Sequence, residues 1–190
     1  MANKEIAEIQ RIFVTRLDAL DHILDVGEKH FGDLEPILGE RLAPDMYPFG
    51  AQIALACDEP LGFSQWCAGQ PVRNLTPEVG SVETARSHIR QTKELVSGIT
   101  AQDAKLDEIK RVGLGLGAYC ELPARQYVND FLMPNFYFHI TTAYAILRKL
   151  GAPLGKADYL AFLAMQVKRE DDARQGAAAD RHATVRPVGS

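Results

Sequence analysis

The chain has 190 residues, 46% hydrophobic and 24% charged, with a formal net charge of −4. That length and balance fit one soluble domain with a full core, and the negative charge argues against a nucleic-acid surface of clustered Lys and Arg. No apolar run approaches the ~18 residues of a membrane span, and the start Met-Ala-Asn-Lys-Glu-Ile lacks an apolar signal core, so a cytoplasmic protein without membrane contact is expected. Cys57, Cys67 and Cys120 show no Cys-x-x-Cys spacing, which indicates neither a disulfide framework nor a thiolate zinc site.

In chain order, Ile6, Ile9, Phe13, Leu17, Leu20, Leu24 and Phe31 recur at helical spacing and predict a long first helix ending near Gly32. His22 falls opposite that stripe and reads as solvated, and His30 sits where it answers the helix dipole. Residues 32–44, with Pro36, Gly39 and Pro44, read as a connector with at most one helical turn. Asp45 is expected to open a second helix with Pro48 in its first turn and a core stripe of Phe49, Gln52, Ile53, Ala56, Phe63 and Cys67. Gln52 is the polar intruder on this stripe, with Asp45 at its mouth. Asp58, Glu59 and Cys57 sort away from it, and Pro60 predicts a kink.

After a polar loop over 70–80, Ser81 reads as the N-cap of a third helix through Val82, Ala85, Ile89, Thr92 and Val96, with His88 turned to solvent. Gly113, Gly115 and Gly117 alternate with Val112, Leu114 and Leu116, in a spacing that matches no nucleotide-binding fingerprint. This insert reads as a loop or short irregular extended segment. The last long helix is expected from about Pro123 to Leu150, bent at Pro134 and closed by Gly151 and Pro153. Lys156 to Ala164 predicts a short final helix. The domain is therefore placed at 1–164, with a mobile or partly helical tail over 165–190.

The last long helix carries the chemistry. Val128, Phe131, Leu132, Asn135, His139, Thr142, Ile146 and Leu150 share one stripe, so Asn135 and His139 point where the aliphatics point. A polar group buried there without a partner costs about 1–3 kcal/mol. The two must satisfy each other, meet another helix, or line a cavity. His139 is the candidate catalytic acid–base because its ordinary pKa lies near neutrality. Asn135, Gln52, Asp45 and Thr142 are the candidate binding residues. No nucleophile is evident.

Pro134-Asn-Phe-Tyr-Phe-His139-Ile-Thr-Thr-Ala-Tyr144 and Gly151-x-Pro-Leu-Gly155-Lys-x-Asp158-Tyr159 resemble a domain-of-unknown-function family in the DinB/YfiT-like superfamily of metalloenzymes. So does Arg41-Leu-Ala-Pro-Asp45-Met-Tyr-Pro-Phe49 with Gln52. The resemblance covers roughly residues 6–161. It implies an all-α, DinB-like up-down-down-up four-helix bundle, here with the glycine-rich insert before the last long helix, and a homodimer. It also implies a divalent metal such as Zn or Ni, held by one histidine of the second helix and two, four residues apart, of the last. Carried over, His139 matches the later histidine of the pair and is the one candidate metal ligand. Asn135 stands in the earlier position, and Gln52 is the nearest polar group on the second helix.

Three readings are carried forward. The first is a DinB-like protein with a small-molecule pocket around His139 and an incomplete metal triad. The second is a divalent-metal-dependent thiol transferase or isomerase. The third is a non-catalytic dimeric scaffold.

Overall fold

A computed structural model describes residues 4–166, and the tail expected beyond them lies outside the described residues. Helix α1 runs Lys4–Phe31 on the predicted stripe, with Ile6, Phe13, Leu17, Leu20 and Leu24 fully buried. Its first turn is capped from a distance. The Asp103 carboxylate accepts the N–H groups of Lys4, Glu5 and Ile6 at 2.8, 3.3 and 3.0 Å, satisfying donors that an isolated helix leaves open. The helix stops at Gly32, whose φ of +79° reverses the chain. His22 is not simply solvated: its Nε2 donates to Asp158 Oδ1 at 2.9 Å and ties α1 to the C-terminal segment.

The connector contains one 3-10 turn, Glu35–Ile37. Helix α2 runs Phe49–Cys67 and begins four residues later than expected, with Pro48 as its N-cap. A proline cannot donate to the preceding turn but is tolerated at a helix start. Asp45 consequently sits in an exposed turn before the helix. Pro60 is carried inside α2 without ending it, and Cys57, expected off the core stripe, is fully buried. Burial pushes the Cys57 thiol up, against a smaller opposing effect of Thr92. Such a thiol is inert.

Helix α3, Val82–Ser97, starts on the Ser81 cap, whose Oγ accepts the Thr84 N–H at 3.1 Å, and buries Ala85, Ile89, Thr92 and Val96 as predicted. His88 departs from its predicted solvent position. It is half-buried, and its Nε2 is enclosed without a partner among the described residues, so burial lowers its pKa.

The glycine-rich insert is a β-hairpin, not an irregular loop. Strand β1 (Ile109–Gly115) pairs antiparallel with β2 (Ala118–Pro123), with Val112 opposite Cys120 and Lys110 opposite Leu122. Leu116 and Gly117 form the two-residue turn with φ of +49° and +79°, the paired positive values of a type I′ turn, which suits the right-handed twist of the strands. Gly117 takes that conformation freely, whereas Leu116 does not. Leu116→Asn should therefore stabilise the protein by about 0.5–1 kcal/mol, measured by chemical denaturation; a destabilised variant would mean that the turn is not held as described.

The last helical run is one course in three parts: α4 (Ala124–Tyr127), a π turn (Val128–Leu132) and α5 (Met133–Lys149). The disturbance expected at Pro134 is met by that wider turn. The Met133 N–H bonds back five residues to the Val128 carbonyl, and Pro134 then lies in the first turn of α5, where its missing N–H matters least. Helix α6 (Lys156–Tyr159) and a 3-10 turn (Ala161–Gln166) complete the described chain.

The fold is mostly helical with this one small sheet, which corrects the all-α expectation. The four long helical runs share one core, with Phe13 near its centre. The Phe13 ring meets Phe63 and Phe136 edge-on at 5.8 and 5.1 Å. The buried face of α5 carries Phe136, Ile140, Thr142, Ala143, Ile146 and Leu147, continuing Leu132 of the π turn. Leu132, Thr142 and Ile146 lie on the predicted stripe, while Phe136, Ile140 and Ala143 extend burial to one side of it, which leaves Asn135 and His139 half-buried on the flank toward α2.

Candidate functional site between helices α2 and α5 and the hairpin

On the flank of α5, Asn135 and His139 stand one turn apart and face α2. The His139 Nδ1–H donates to Gln52 Oε1 at 2.8 Å, and Gln52 Nε2 donates to the Tyr47 carbonyl at 3.0 Å. This relay fixes the amide and, through it, the imidazole tautomer, leaving Nε2 with the lone pair. One rung along, Asn135 Nδ2 donates to Glu59 Oε1 at 2.9 Å. The rungs run in opposite chain directions, as they do between antiparallel helices.

Glu59 is the site residue that the sequence reading misplaced. Seven residues separate it from Gln52, about 700° of helical turn, so it returns to within about 20° of the same face. The helical spacing alone contained that signal.

Both rungs border a cavity of about 380 Å³, whose walls include Leu55, Asp58 and Glu59 of α2, Lys110 and Val112 of β1, and Tyr127 of α4. Asn135 and His139 complete one wall, and the loop after α2 contributes Asn74. A space of this size suits a small molecule. Its acid–base groups are displaced from their ordinary ranges by burial. Glu59 is raised to about 7, against the Asn135 hydrogen bond, with Asp58 adding a smaller upward push. Asp58 is raised to about 6, opposed by the Leu75 N–H that it accepts at 2.6 Å. His139 is lowered to about 4. At neutral pH the imidazole is therefore uncharged while Glu59 exchanges its proton, so the pair can accept and give protons within one cavity.

Of the other residues singled out in the sequence, Thr142 is buried and donates to the Phe138 carbonyl at 2.8 Å, a local bond within α5. Asp45 does not join the cavity wall. The donor set does not fit the metal that the resemblance implies. It offers one imidazole, the Asp58 and Glu59 carboxyls, which burial biases toward their protonated forms, and two neutral amides that zinc and nickel bind poorly. No group of three or more His, Cys, Asp or Glu side chains able to hold a metal ion occurs among the described residues. No helix among them is long and apolar enough to cross a membrane.

The family model described as "Domain of unknown function (DUF1993)" matches residues 8–160. The chain belongs to the DUF1993 family. A crystal structure of a DinB family member from Shewanella denitrificans is similar to this DUF1993 protein at a TM-score of 0.70 and 25% identity, covering 84% of this chain and 96% of that one. No curated protein sequence matches the chain. The DUF1993 match runs from the second turn of α1 through α6 and includes every residue of the two rungs.

Proposed function

We propose that this DUF1993 protein is a DinB-like up-down-down-up helical bundle that binds a small molecule in the cavity between α2, α5 and the hairpin, with His139 as its neutral acid–base group. The observation that carries the reading is the Tyr47–Gln52–His139 relay, which holds an uncharged imidazole at the wall of a cavity of about 380 Å³. Gln52 occupies only Nδ1, so Nε2 keeps its lone pair, and His139 is one of the residues that line the cavity. Asn135 holds Glu59 in the same wall and orients its carboxyl. The protein is read as a homodimer, which sedimentation of the untagged chain tests.

The metal-dependent transferase or isomerase reading is the second one. What favours it is the likeness to a DinB family member; the donor set of this chain speaks against it. One experiment separates the two. Untagged protein and His139→Ala are compared by elemental mass spectrometry and by a small-molecule fragment screen. The expected result is a folded variant, no stoichiometric metal in either protein, and fragment binding to the cavity that His139→Ala abolishes. A stoichiometric metal lost in the variant would replace the first reading with the second. Failure of His139→Ala to fold, with no fragment bound by the parent, would leave the rungs as packing alone.

A further inference from the structure

Resting on the small-molecule reading above, we propose that the ligand is a small organic acid, its carboxylate held by Lys110 of the hairpin and its opposite, hydrogen-bond-donating end turned to Glu59. The argument begins with strand alternation. Successive residues of β1 point to opposite faces, so Lys110 shares the inward face with Val112, which is buried, while Ile109 is 61% exposed on the other face. The hairpin thus places a lysine where a hydrophobic residue would ordinarily pack.

Its ammonium lies 5.6 Å from the centre of the Trp66 ring and 5.8 Å from that of Tyr127, and Tyr127 is itself a wall of the cavity. The ring faces attract the cation but supply no hydrogen-bond acceptor comparable to a carboxylate. Among the described residues no carboxylate lies within ion-pair distance of Lys110. Partial burial, with Lys105 nearby, lowers its pKa, as expected of an ammonium without a counter-ion.

The other charged groups of the cavity already have protein partners. Asp58 accepts the Leu75 N–H and Glu59 accepts Asn135, while Arg111, its guanidinium 3.7 Å from the centre of the Tyr119 ring, is exposed and hydrated rather than held from water as Lys110 is. The cavity therefore presents an unmatched cation on the hairpin and two carboxyl groups on α2. An anion fits the first and is repelled by the second, whereas a neutral or cationic donor fits the second. A molecule with an acid at one end and a hydroxyl or amino group at the other matches both. A multiply charged anion filling the cavity does not.

Lys105 supplies the control. It lies 4.8 Å from the same Trp66 ring but is already paired with Glu108 at 2.7 Å. The full chain, Lys110→Met, Lys105→Met and His139→Ala are titrated by NMR with glycolate, glycine, inorganic phosphate and the neutral glycolamide, after circular dichroism shows each variant folded. The expected result is saturable binding of glycolate or glycine at the hairpin and α5, weakened about tenfold or more in Lys110→Met and unchanged in Lys105→Met, with phosphate bound no better by the parent than by Lys110→Met. Equal acid binding by the parent and Lys110→Met overturns the proposal, as does equal weakening in both lysine variants, which marks general surface charge. If Lys110→Met does not fold, Lys110→Gln takes its place: it keeps a long polar side chain without the charge, and unchanged acid affinity overturns the proposal. Glycolamide binding that His139→Ala abolishes, with no acid binding, overturns this inference and keeps the pocket; no binding of any probe overturns both.

Discussion

Phe136→Ala should destabilise the protein by about 3–5 kcal/mol and lower its melting temperature by on the order of 10 °C, while Phe138→Ala two residues on should change stability by less than about 0.5 kcal/mol. Both are aromatic residues of the same helix, so propensity cannot separate them. Burial does. Phe136 is 0% exposed and meets the Phe13 ring edge-on at 5.1 Å, whereas Phe138 is 53% exposed. Removing the first leaves a void against Phe13, and the partners cannot collapse into it because α1 and α2 also pack there. Urea unfolding of both variants checks the expectation. Equal effects would mean that α5 is rotated from the orientation that brings Asn135 and His139 to α2, and the site would fall with it.

The second large effect is a pair of opposed pH dependences. Glu59 titrates near 7 in the folded chain against 4.5 as a free side chain, so between those values the folded state holds a proton that the unfolded state has released. Its contribution is present below pH 4.5 and is lost as pH rises through 7, by about 3 kcal/mol in all. His139 runs the other way. Lowered to about 4 from 6.5, it stays neutral while the unfolded chain takes up a proton. Its contribution is present above pH 6.5 and is lost as pH falls through 4, by a similar amount. Over the shared range the two slopes oppose each other, and Asp58, near 6, adds to the Glu59 side. Unfolding free energies measured from pH 4 to 8 should therefore show Glu59→Gln gaining on the parent protein as pH rises. His139→Gln should gain on it as pH falls. Differences from the parent that are flat with pH in both variants would show that neither group is held from water in the folded state.

The elements that the sequence shows most plainly are those where one force dominates. The spacing from Ile6 to Leu24 leaves a single helical face to bury, and the chain buries it. Ser81 caps α3 because its hydroxyl reaches the Thr84 N–H. The hairpin was harder to see, because glycine weakens a strand and masks the period-two pattern that Lys110 and Val112 otherwise display. Its turn carries a leucine where asparagine would have given the signal. In the site, Asn135, His139 and Gln52 were visible as polar breaks in apolar stripes. Glu59 is less visible because it is a charged residue beside Asp58, although its spacing from Gln52 returns it to the same face. Asp45 falls outside the site because Pro48 caps α2 from outside rather than sitting within it, so the helix starts four residues after Asp45.

The π turn over Val128–Leu132 amounts to one residue more than an α-helix needs between Tyr127 and Met133. Both Asn129 and Asp130 in it are exposed, so neither is held by packing. Deleting either would let the helix close into regular α geometry with α4 and α5 keeping their relative orientation, because a π turn takes up its extra residue within the arc of a single helical turn. Tyr127, the hairpin before it and the α2–α5 rungs would all stay in place. The extra residue can therefore be gained or lost at the turn without re-aiming either wall of the cavity.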